Sequence, residues 1–222
     1  MTSSCEDRAV VRVSTSSGAI RVVGEDRPDV VVERGRAKEA DGEVAVEGSS
    51  KSVVVRCPVG TDVVAGTSSG SIHLDGRLGE VRATTSSGSI EIDSVAGADV
   101  RSSSGRIVVG SCAGTCRVST SSGRIEVGTA GSAEVRTTSG KVDVGAAAAQ
   151  VRTVSSTVTI RAGHGDVAVE SVSGKVTVTL PPGRHPAIDA RSSKKPRIEV
   201  EPGVDGKVRA AMVSGRLTIA SA

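Results

Sequence analysis

Over residues 61–180 apolar and polar positions alternate, and a Thr-Ser-Ser-Gly-like step interrupts the alternation at near-constant intervals. Counted from the glycine of each step, the second and fourth residues after it are apolar. They are Ile72 and Leu74, Ile90 and Ile92, Ile107 and Val109, Ile125 and Val127, Val142 and Val144, and Val176 and Val178. The seventh and fifth residues before it are apolar or small: Val63 and Ala65, Val81 and Ala83, Ala98 and Val100, Cys116 and Val118, Ala133 and Val135, and Val167 and Val169. Gly18 and Gly215 carry the same step near the two ends, with Val11 and Val13 before the first and Leu217 and Ile219 after the second. Alternation of period two on both sides of a turn predicts two short strands per repeat, each with one face inward. No window carries the 3.6-residue period of a helix.

The turn glycines Gly70, Gly88, Gly105, Gly123 and Gly140 are separated by 18, 17, 18 and 17 residues. A further 17 places Thr157 at the turn, and 17 more reaches Gly174. One such unit cannot cover its own apolar face, so neighbouring units must stack and pair. The expected fold is all-β: a single-chain parallel β-solenoid, or β-helix, with coils of 17–18 residues. The whole chain, 1–222, reads as one domain. Residues 1–60 form irregular N-terminal coils, 61–180 the regular coils, and 181–222 C-terminal coils with a Pro-rich loop. In that loop Lys194-Lys195-Pro196 takes the place of the turn glycine. The final Leu217-Thr-Ile-Ala-Ser-Ala is expected to leave an open strand edge, unless the irregular segment 181–203 folds back over it. Such an edge invites pairing with another chain. The charged Glu6-Asp-Arg is expected to discourage addition at the other end.

Composition narrows the picture further. The chain has no Phe, Tyr or Trp, and 27 glycines. A core without aromatic area must be thin and aliphatic, which suits stacked coils better than a sandwich or bundle. The 28 Lys and Arg are nearly offset by 25 Asp and Glu, leaving a net charge of +3. Neither that balance nor the lack of stacking side chains points to nucleic acid. No apolar run has the length of a membrane span. The segment from Met1 shows no signal region, so the expected location is the cytoplasm as written. A surface location would need an export signal missing from this chain.

Gly18-Ala-Ile-Arg-Val-Val-Gly-Glu-Asp-Arg-Pro-Asp-Val-Val-Val-Glu, Val55-Arg-Cys-Pro-Val-Gly-Thr-Asp-Val, the repeated Thr-Ser-Ser-Gly-Ser-Ile steps and Leu180-Pro-Pro-Gly resemble a bacterial family of β-strand repeat proteins known as "putative adhesins", a domain of unknown function. The resemblance covers nearly the whole chain. It implies a β-solenoid and an adhesin-like role, and it brings no catalytic residue with it.

Candidate chemistry is sparse. His73 follows Gly70 by three residues and points outward, while His164 and His185 fall in loops; none has ligand spacing, so all three read as surface residues. Cys112 and Cys116 bracket Ala-Gly-Thr, a spacing open to reduced thiols, a disulfide or half a metal site. A cytoplasmic setting favours the thiols, and Cys116 occupies an inward position. Cys5 and Cys57 are remote in sequence. The serines lack the His and acid partners of a triad, and the acids are scattered singly rather than paired as in glycosidases. We therefore expect no catalytic, cofactor or metal site. The function read from the chain is a non-enzymatic structural or interaction protein that meets a partner protein or surface polymer. The alternative is a self-assembling scaffold joined through terminal coils. A carbohydrate-active solenoid enzyme is less favoured.

Overall fold

The computed structural model describes residues 9–40, 43–163 and 165–221. The expectations on Cys5, Glu6 and His164 lie outside these. The described residues contain no helix, and so none long and apolar enough to cross a membrane. Fifteen strands form one sheet. They are β1 (Val10–Thr15), β2 (Ile20–Glu25), β3 (Val31–Arg34), β4 (Arg36–Ala40), β5 (Glu43–Gly48), β6 (Val53–Pro58), β7 (Asp62–Thr67), β8 (Ile72–Thr85) and β9 (Ile90–Ala146). After them come β10 (Ala148–Ala162), β11 (Val167–Leu180), β12 (Ala187–Ser192), β13 (Arg197–Ile198), β14 (Lys207–Met212) and β15 (Arg216–Ser221).

The fold is all-β and the pairing mostly parallel. Ile72 pairs with Ile90 and Val63 with Val81, each 18 residues on, and Val81 pairs with Ala98, 17 on. Every inward residue named above is buried, and together they make one aliphatic core. Parity explains this: with side chains alternating across a strand, a register shift of one residue would expose the whole set. A further inward column was not read from the sequence: Leu78, Val95, Cys112, Ala130, Ala146, Ala162 and Leu180, at the corner where each repeat turns toward the next strand run. The two short strands expected per repeat are also too few in the middle of the chain. There the extended backbone runs unbroken for the 57 residues of β9, because the turns themselves pair with the turns of neighbouring repeats.

The register departs from expectation at one turn. Ser156, not Thr157, pairs with Gly140 and with Gly174, so this repeat is 16 residues after one neighbour and 18 before the next. Parity again decides. With Ser156 at the turn, Val158 and Ile160 fall inward and are fully buried; with Thr157 there, Thr159 and Arg161 would point into the core.

At both ends, strand order in the sheet departs from strand order in the chain. β1 lies between β7 and β5, and β2 between β8 and β6, so residues 10–25 are inserted between the repeats that follow them. β4 and β3 then cover β5 and β6 in antiparallel fashion. The N-terminal region is therefore only in part a continuation of the parallel repeat. Arg56 of β6 holds β3 down by binding Glu33 at 2.6 Å while also pairing with Glu25 of β2. At the other end β14 and β15 pair with β11 on one side and with β12 and β13 on the other. The open edge expected at Leu217-Thr-Ile is thus closed: Thr218 and Ile219 pair with Arg197 and Ile198. The segment after Leu180 folds back as the cover.

Candidate functional site

The turns bring like residues into columns. Gly18, Gly70, Gly88, Gly105, Gly123 and Gly140 follow one another, then Ser156, Gly174 and Gly215. A Cβ on Gly88 would overlap the carbonyl oxygen of Gly70, and one on Gly140 that of Gly123. Glycine is required here because backbone packs on backbone.

Three residues before each glycine stands a buried hydroxyl: Thr15, Thr67, Thr85, Ser102, Thr120, Thr137, Thr153 or Ser171. These hydroxyls divide the molecule in two. In the first group the glycine N–H donates to the threonine, as from Gly70 to Thr67 Oγ1 and from Gly88 to Thr85 Oγ1, each at 3.1 Å. In the second the hydroxyl donates to the carbonyl just before the glycine, as from Thr120 to Ser122 at 3.1 Å and from Thr137 to Ser139 at 3.0 Å. The N–H and the C=O belong to the same peptide unit, so that unit is turned over between the two groups. Only the second group holds its glycine in the left-handed region, with φ of 141° at Gly123 and 126° at Gly140. Ser102 sits at the changeover, and its buried Oγ has no hydrogen-bond partner among the described residues.

Beside this column runs a groove of about 840 Å³ reaching from Thr84 to Val213. Its sides carry Arg101, Arg136 and Arg152, paired with Asp99 at 3.1 Å, Glu134 at 2.7 Å and Glu170 at 3.1 Å. Along one rim the Ser and Thr of the early repeats give way to Val154, Val172 and Val213, which are 47%, 47% and 66% exposed. Sequence reading passed over this stripe, although its signal is plain: an apolar residue where the other turns have serine.

On the other side of the glycine column the outward residues are charged. Arg106 binds Glu126 at 2.8 Å, Arg124 lies 3.8 Å from the same carboxylate, and Arg161 reaches Asp143 at 2.8 Å. The hydrogen bond from Arg106, and the charges of Arg106, Arg124 and Lys141, hold the Glu126 carboxyl below the usual range. Arg124 and Lys141 therefore share one face, as the repeat predicts. His73 is on this face too, between Ser71 Oγ at 3.1 Å and Glu91 at 3.3 Å. His185 lies in the Pro-rich segment, its Nδ1 3.3 Å from the Glu201 carbonyl.

Cys57, Cys112 and Cys116 are free and buried. The hydrogen bond from Cys116 draws the Cys112 thiol down to about 7. Its counterpart, together with burial, pushes Cys116 up. Burial likewise pushes Cys57 up. The sulfurs of Cys112 and Cys116 thus share one proton inside the core. Among the described residues no group of three or more His, Cys, Asp or Glu is arranged to hold a metal.

Arg184 is the buried cation that sequence reading missed, since Pro-Pro-Gly-Arg reads as surface loop. It is 4% exposed. Its guanidinium donates to the carbonyls of Gly163, of Gly165 at 2.6 Å and of Asp205 at 3.1 Å. Three carbonyls from two loops account for the side chain, which works as a clamp.

No family model matches the chain, and no curated protein matches it. Two solved structures are similar over most of their length. One, from Bacteroides fragilis and described as a "putative adhesin", is 13% identical, with 97% of this chain and 92% of that one covered and a TM-score of 0.41. The other, a "putative cell adhesion protein" from Clostridium sporogenes, is 11% identical, with 97% and 94% covered and a TM-score of 0.22. At these scores neither likeness bears on the fold, which rests on the strand pairing.

Proposed function

We propose that the chain winds as a β-solenoid and serves as a non-enzymatic binding module that meets a partner protein or surface polymer along its length; an adhesin-like role is one form of this. The observation that carries the reading is the columnar repetition. Equivalent side chains recur on successive strands about 4.8 Å apart, so one face offers a partner the same contact many times over. The groove beside the turns crosses these repeats. Its arginines are each committed to a nearby acid, which suits a recognition surface and not an acid–base pair poised for turnover. End-to-end assembly would have to use the outer strands β4 and β12. These carry Lys38, Glu39, Asp189 and Arg191, and edge charges of this kind discourage strand addition.

The test is retention of the purified protein on arrays of immobilised glycans and proteins, beside a variant whose groove is blocked by Ser121→Trp. Retention that the blocked variant loses supports the reading. Turnover of an array ligand, or retention indifferent to the block, overturns it.

A further inference from the structure

The charged face is balanced in the middle of the molecule and unbalanced at its C-terminal end. In the middle, the cations one residue after the turn, Arg106, Arg124 and Lys141, have Glu126 and Asp143 two residues further along the same strands. In the last repeats the cations persist and the acids do not. Lys175 pairs in register with Arg216, and the residues two further on are Thr177 and Thr218. Lys194 and Lys195 come from the covering segment between β12 and β13. With Arg197 aligned on Thr218, the same alignment brings Lys195 toward Arg216. Lys175, Lys194, Lys195 and Arg216 line one depression of about 440 Å³. All four are exposed. None of them makes an ion pair among the described residues; the nearby Glu199 is bound to Arg197 at 2.6 Å. Like charges directly opposite on neighbouring strands repel, and here the fold supplies no counter-charge.

We propose that this depression is an anion-binding site for a linear acidic glycan, one bearing sulfate or carboxylate groups. The inference rests on the interaction reading above and names the partner's chemistry. Cations on successive strands form a line, which matches charges repeated along a polymer. The half-buried hydroxyl-bearing Thr177 and Thr218 lie alongside, where sugar hydroxyls can be met. Nucleic acid fits less well, because the chain has no aromatic side chain on which a base could stack. An anionic membrane fits less well for the same lack of an interfacial anchor.

The experiment measures binding of heparin and of polygalacturonate at low and at physiological salt. Oligo-deoxythymidine, phosphatidylserine vesicles and neutral dextran run in parallel. Wild type is compared with Lys194→Gln/Lys195→Gln, with Lys175→Gln/Arg216→Gln, and with Arg106→Gln/Arg124→Gln, which removes the same charge from the balanced region. The expected result is salt-sensitive glycan binding that falls about fivefold for each charge lost from the depression. Dextran should stay unbound, and the Arg106/Arg124 variant should bind as wild type does. Three results overturn the site: no binding of either acidic glycan, an equal loss in the Arg106/Arg124 variant, or tighter binding of the oligonucleotide or the vesicles. A protein that ignores acidic glycans yet is retained on another ligand through its groove loses this site and keeps the interaction reading. A protein retained by nothing loses both.

Discussion

Thr153 donates its hydroxyl to Ser156 Oγ at 2.5 Å, in the one turn whose column position is filled by a residue other than glycine between Gly140 and Gly174. Elsewhere in the column the hydroxyl three residues back meets the peptide next to the glycine. Here it meets a side chain, and the repeat is one residue shorter than usual on one side and one longer than usual on the other.

That difference predicts opposite sensitivities at neighbouring turns. Gly140→Ala adds a Cβ that overlaps the Gly123 carbonyl and forces φ of 126° on a residue that avoids it. Its cost should exceed about 3 kcal/mol. Ser156→Ala keeps a Cβ already accommodated and loses one hydrogen bond, for about 1 kcal/mol. Urea unfolding of the two variants checks this, and equal losses would mean that Ser156 does not occupy the column.

The turned-over peptide makes a second prediction. Ser102 Oγ is buried without a partner, so Ser102→Ala should change stability by no more than about 0.5 kcal/mol in either direction. Thr85→Ala and Thr120→Ala each remove a hydroxyl that does have a partner, and each should cost about 1–2 kcal/mol. A Ser102 variant as damaging as the other two would show that its hydroxyl is bonded.

Inside and outside were legible in the sequence because period two leaves only two choices of face, and the apolar set identifies the inner one. Ile125→Asp should therefore cost more than about 4 kcal/mol, since it buries a carboxylate with no partner. The adjacent Arg124→Gln, on the exposed face, should stay within about 0.5 kcal/mol. Thermal melts that fell equally would reverse the two faces.

Strand order at the ends was not legible, for the same reason. Residues 10–25 keep the same faces whether they pair with 43–58 or with 62–76 or with both, so alternation cannot say which neighbour they take. The Ser156 register was legible in principle: the polar Thr159 and Arg161 already argued against Thr157. The valine stripe of the groove was masked by reading every turn as one motif. The four-cation depression could not be read, because Lys194 and Lys195 join Lys175 and Arg216 only through the reordered final strands.

The two core thiols give a pH dependence. Cys112 is lowered in the fold from 9.0 to about 7, so between those values the folded state holds fewer protons than the unfolded one. Its contribution is present above pH 9 and is lost as pH falls through 7. Cys116 is raised, so its contribution is full below its unfolded value and declines as pH rises beyond that. Under reducing conditions the stability of wild type relative to Cys112→Ser should therefore climb from pH 7 to pH 9 and then stop climbing. Urea midpoints across that range provide the measurement, and a flat difference would show that the thiols do not share a proton.

Arg184 supports the last prediction. Its three carbonyl partners belong to the loop before β11 and the loop before β14, while Arg184 itself precedes β12. It fastens together the loops that let the final repeat slip between β11 and its cover. Removing one side of a buried charged hydrogen-bond set leaves the other side unsatisfied, at about 1–3 kcal/mol for each group stranded. Three stranded carbonyls can re-form bonds only with water, so the loss should be local, with the cover opening before the rest of the sheet. Arg184→Ala should speed amide exchange in β12 and β13, and then in β14 and β15, while the protection of Ile107 and Ile125 in β9 is unchanged. Arg184→Lys, whose ammonium cannot span all three carbonyls in one plane, should fall between the two. Exchange that rises uniformly along the sheet in Arg184→Ala would show that the clamp serves the whole fold and not the final repeats.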